Sequence, residues 1–132
     1  MKQRLITIKD WFVGVVLFVI SICVFVPLTL INYVAVVITS KDRGKGYFLN
    51  TATNIDKFGN QEFRTLFNLT LRTSSGYKFG LIGETISSVL GKNERDQTLS
   101  AVGRALAWFL NRLDKNHCIK SINQNISWQN SK

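Results

Sequence analysis

The side chains with the most chemical potential lie close together in this sequence: Asp114, His117 and Cys118, in the run Asp-Lys-Asn-His-Cys. A Cys–His nucleophile couple needs the imidazole to face the sulfur. Neighbouring residues on a helix project about 100° apart, so His117 and Cys118 do not pair in that way. A metal reading fares slightly better, because positions i, i+3 and i+4 share one helix face and offer two ligands. A metal site needs three or four, so Glu84 or Asp96 would have to complete it, and no CxxC or HxxxH spacing supports one. The weak metal set is therefore Glu84, Asp114, His117 and Cys118. The plainer reading is preferred: Cys118 as a small core residue, His117 as a partly exposed cap of a helix end. Glu84 with Asp96 or Asp114 has no spacing that fixes an acid/base pair. Gly91-Lys92 lacks the flanking glycine and Ser/Thr of a phosphate loop. The sequence thus predicts no catalytic residue, metal or cofactor.

Charge is more informative. Lys and Arg number 17 against 8 Asp and Glu, a formal net charge of +9. Such an excess favours anionic phospholipid headgroups, an acidic protein or nucleic acid. The contacts expected for such a partner are Lys92, Arg95, Arg104, Arg112, Lys115 and Lys120. The two cysteines, Cys23 and Cys118, form no disulfide framework and lean toward a reducing compartment.

These residues must be positioned by elements, and one element dominates. From Trp11 to Ser40 there is no charged residue or histidine, and Trp11–Ile38 is an apolar run of 28 residues. Roughly 20 apolar residues cross a bilayer as a helix. Trp11 and Tyr33 fall where an interfacial aromatic belt would place them. Pro27 interrupts the run and predicts a kink. A hairpin turning there would leave two arms too short to cross. The apolar stretch is also about twice the length of a signal-peptide core, which favours an uncleaved anchor. Lys2, Arg4 and Lys9 on one flank balance Lys41, Arg43 and Lys45 on the other, so charge does not set the orientation.

After a polar hinge at 40–46, Tyr47–Arg72 reads as one amphipathic helix or two meeting near Gly59-Asn60. A short helix is expected over Glu84–Lys92, with Glu84 at its positive end. The clearest soluble helix follows in TLSAVGRALAWFLNRLD, capped by Thr98 or Ser100. Its expected core stripe is Leu99, Val102, Leu106, Phe109, Leu110 and Leu113. The expected organisation is a basic tail (1–10), a transmembrane anchor (11–40), a basic helical domain (41–122) and a flexible tail (123–132). The fold class is mainly α, with one N-terminal transmembrane helix and a small helical domain.

Glu84-Thr85-Ile86-Ser87-Ser88 with Gly91-Lys92, Arg95-Asp96, and Asp114-x-x-His117-Cys118-x-x-Ser121-Ile122 together resemble small phage- and prophage-encoded proteins. The Ala52-Thr53-Asn54-Ile55-Asp56 segment is similar to theirs as well, so the likeness covers about residues 50–122. Gly83 departs from the acidic residue usual before Glu84, as does the long anchor. The resemblance implies a phage or prophage origin and a cytosolic setting for the domain, but no activity. The expected function is a non-enzymatic accessory or interaction protein, single-pass in a bacterial inner membrane, with its C-terminal domain cytoplasmic. A lysis-type (holin-like) permeabiliser and a membrane tether for nucleic acid are the alternatives. The bilayer is the expected partner, and oligomeric state is not legible.

Overall fold

The computed structural model describes residues 8–128 of the 132. It is mainly helical and, among the described residues, its only β feature is an isolated bridge between Arg72 and Leu99. It divides into two compact units, one ending at Tyr47 and the other starting at Phe48.

The first unit is α1 (Ile8–Thr39), a helix of 32 residues with none buried. Leu, Val, Ile and Phe dominate it, and at about 1.5 Å per residue it exceeds the roughly 30 Å of a bilayer core. It is long and apolar enough to cross a membrane. The helix stays continuous through Pro27, although proline withholds the donor that would serve the Cys23 carbonyl. Polar side chains inside the apolar run bond back onto the helix: Ser21 Oγ to the Leu17 carbonyl (2.7 Å) and Thr29 Oγ1 to the Phe25 carbonyl (2.8 Å). Tyr47 closes this unit by donating to the Thr29 carbonyl (3.0 Å) while its ring meets Tyr33.

The second unit contains α2 (Tyr47–Glu62, whose first residue belongs to the preceding unit), α3 (Arg64–Thr70), α4 (Ile86–Arg95), α5 (Ala101–Leu113) and α6 (His117–Lys120). The break between α2 and α3 falls at Phe63, just past the expected Gly59-Asn60. Helix α4 starts two residues later than Glu84, because Thr85 is its N-cap and accepts from the Ser88 amide. Ser100, not Thr98, caps α5 by accepting from Gly103 N (3.0 Å). Left-handed Asn116 (φ 59°) separates α5 from α6.

The core gathers Leu71, Phe79, Val89, Leu90, Leu99, Ala107 and Cys118. Helix α4 is its axis, with seven consecutive residues from Ser87 to Asn93 buried. Between α3 and α4 the chain runs irregularly, and buried backbone needs partners. Asparagine amides supply them, since each offers both a donor and an acceptor. Asn68 clamps Phe79 through both its N–H (3.0 Å) and its carbonyl (3.1 Å). Asn93 does the same to Tyr77, at 2.8 and 2.9 Å. Asn60 donates to the Glu84 carbonyl (2.9 Å) and accepts from Gly80 N (3.1 Å).

The apolar stripe expected for α5 divides: Leu99 is buried and Leu106 and Leu110 pack partly against the core, with Gly103 and Ala107 buried beside them, whereas Val102, Phe109 and Leu113 are exposed. The cause is close approach, since a Cβ on Gly103 would collide with the Leu71 carbonyl. The tail makes hydrogen bonds to the rest of the unit where it is described. Asn123 N donates to Ser88 Oγ (3.0 Å), and Trp128 Nε1 donates to the Lys78 carbonyl (3.0 Å). Residues 129–132 lie outside the described part.

Candidate functional site

The polar side chains of highest interest gather around α4 in two networks. The first surrounds Glu84, which is fully buried one residue before the N-cap. Positions 84, 88 and 92 recur every four residues and so fall on one side of the chain. Glu84 Oε1 accepts from Lys92 Nζ (2.5 Å) and from Ser88 Oγ (2.8 Å), and Oε2 accepts from the Tyr77 hydroxyl (3.1 Å). Lys92 also donates to the Ile126 carbonyl (2.6 Å) and lies 4.3 Å from the centre of the Tyr77 ring. Burial, and then the Glu84 charge, push the Tyr77 hydroxyl above its ordinary value, so it stays a donor. This is a buried ion pair whose remaining hydrogen-bonding capacity is taken by neighbours, the condition under which such a pair is tolerated.

The second network holds the N-terminus of α4. Asp56 of α2 accepts from Ile86 N (3.0 Å) and Ser87 Oγ (2.8 Å). His117 of α6 places Nε2 3.2 Å from Ser87 Oγ and Nδ1 3.2 Å from Asp114 Oδ2. The order Ser87–His117–Asp114 has the connectivity of a hydrolytic triad. Two observations weigh against a nucleophile. A serine hydroxyl carries one proton, and its shorter contact is to the Asp56 carboxylate, not to the imidazole. Asp56 also occupies the helix-terminal amides that would otherwise face a developing oxyanion, and a carboxylate there opposes negative charge. The arrangement as it stands locks α2, α4 and α6 together. His117 hydrogen bonding, then that of Lys120, holds the Asp114 carboxyl below its usual range.

The metal candidates do not converge. Glu84 is committed to Lys92, and Cys118 is buried in the core with burial pushing its thiol up to about 11. That leaves His117 and Asp114 together, and among the described residues no group of three or more His, Cys, Asp or Glu is placed to hold a metal. Cys118 as a core residue is what the sequence predicts. The expected anionic contacts also divide. Lys92 is corrected outright: it is an interior cation, not part of an exposed face. Arg95 pairs with Asp96 (2.8 Å) and Lys120 with Asp114 (3.3 Å). Arg104, Arg112 and Lys115 are exposed and carry no ion pair among the described residues.

Sequence reasoning missed Asp56, Tyr77, Ser87 and Ser88. The usable signal was Ser87-Ser88 one turn before a lysine on a helix start, with a tyrosine upstream. Asp56 pairs across 31 residues, and no local spacing announces that. No protein-family model, curated protein or solved structure matches this chain.

Proposed function

We propose that this chain is a membrane-anchored accessory or interaction protein without catalytic activity, of phage or prophage origin. In this reading α1 crosses a bacterial inner membrane once and leaves the folded second unit on the cytoplasmic side. The observation that carries it is α1 itself: 32 residues, strongly apolar, with no residue buried by the rest of the chain. A helix of that composition needs lipid or protein around it, because water solvates it at large cost. The second unit supports a non-enzymatic role in a narrower way. Its buried acid is neutralised by a lysine, and the contact between Ser87 and the His117 imidazole is tied to the helix start that Asp56 holds.

Reporter fusions at each terminus in a bacterial host, read together with a potential-sensitive dye, test this directly. The expected result is one span, a cytoplasmic C-terminal reporter and an undisturbed membrane potential. Abrupt loss of potential on induction would replace the proposal with the lysis-type reading. Turnover of an ester or amide substrate that disappears in Ser87→Ala would replace it with an enzyme.

A further inference from the structure

Helix α5 turns an unusual surface to solvent. Its closest packing is through the small residues Gly103 and Ala107, with Leu106 and Leu110 partly buried beside them, and its other bulky side chains point outward. Val102, Phe109 and Leu113 are 59%, 53% and 71% exposed, and Trp108 is 66% exposed. At 100° per residue Val102, Phe109 and Leu113 fall within an arc of about 40°. Trp108 lies further round the exposed side, flanked by Arg104 and Arg112. The helix itself contains no acidic residue; Asp114 at its C-cap is paired with His117 and Lys120, and Lys115 comes next.

We propose that this face of α5 is a lipid-binding surface that lies in the headgroup region of an anionic bilayer. The assignment rests on the anchored reading above, because it supplies the bilayer. Arg112 borders the apolar arc, with Trp108 beyond it and Arg104 further round. Apolar residues, tryptophan and arginine together on the exposed side of one helix are the composition of an interfacial helix, in which rings and aliphatic chains enter the acyl boundary while long guanidinium side chains snorkel to phosphates. Charge favours lipid over a second copy. Two such faces pressed together would bring Arg104 and Arg112 against their own kind, whereas an anionic leaflet attracts them. From Lys41 onward the chain has fourteen basic and seven acidic residues, which adds to that attraction. The tether is short, since only 40–46 separate α1 from α2.

The test uses the full chain with Trp11→Phe and Trp128→Phe, so that Trp108 reports alone, in nanodiscs carrying brominated acyl chains. With phosphatidylglycerol present, Trp108 emission is expected to fall at least twofold. The loss should be much smaller in pure phosphatidylcholine and absent after Phe109→Glu with Leu113→Glu. No quenching in either lipid, with Trp108 emitting as a water-exposed ring, would overturn the proposal while leaving the anchor intact. Crosslinking between copies without quenching would assign the face to self-association instead. Equal quenching in both lipids would overturn the anionic preference. A chain that never enters the discs would overturn the anchor, and this surface with it.

Discussion

Lys92 carries its charge into the interior and keeps three oxygen partners there: Glu84, Tyr77 and the Ile126 carbonyl. Removing one member of a buried pair strands the other, which costs about 3–5 kcal/mol, whereas replacing both with apolar residues is often neutral. Glu84→Gln is therefore expected to lower stability by about 3 kcal/mol or more in urea unfolding of the detergent-solubilised chain. Glu84→Leu combined with Lys92→Met should recover most of that loss. Equal losses in the single and double variants would show that the pair is not coupled. Cys118 makes a second prediction, about pH. Its thiol ordinarily titrates near 9 and is raised to about 11 by burial, then by the charges of Glu94 and Asp56. A raised folded value favours the fold below about 9, and that contribution is lost as pH climbs toward 11. In a Cys23→Ser chain, iodoacetamide labelling should be slow at pH 8, where the thiolate is about one part in a thousand, and rise about tenfold per pH unit. Fast labelling at pH 7.5 would place Cys118 outside the core.

Among the elements, α5 is held by closeness more than by bulk. Alanine for glycine inside an exposed helix ordinarily stabilises by about 1 kcal/mol. Gly103→Ala should do the opposite, by about 1–3 kcal/mol, because its Cβ meets the Leu71 carbonyl. Thermal unfolding checks the sign, and a rise in Tm would mean that α5 sits further from the α3 end than described. The same helix explains what the sequence could and could not convey. Its limits were legible, since Ser100 at the N-cap and a three-to-four apolar repeat are local signals. Its packed side was half legible, because a hydrophobic stripe marks where apolar area lies, not which partner approaches. Leu99, Leu106 and Leu110 of the stripe reach the core, while the closest contact goes through Gly103 and Ala107 and leaves Val102, Phe109 and Leu113 to solvent. The asparagine clamps were hidden for a related reason. Asn60, Asn68 and Asn93 look like surface residues in any polarity pattern, and they bond backbone atoms 11 to 24 residues away. The Asp56–Ser87–His117 connection likewise joins three helices that no local rule brings together.

For the whole molecule, the contrast between the two units was plain from composition. An uncharged stretch of this length has few physical outcomes, and the structure leaves α1 with no buried residue. The second unit closes its own core, satisfies its polar interior and ties residues 123–128 back over Lys92 and Lys78. Among the described residues no buried side-chain nitrogen or oxygen lacks a partner.

Alkaline carbonate extraction of membranes from cells expressing the full chain bears most directly on the anchor. The intact chain is expected to stay in the pellet and leave it only with detergent, and charges placed at Val16, Ile20 and Val24 are expected to release it. Intact, monodisperse chain in the detergent-free supernatant would contradict a lipid-embedded α1.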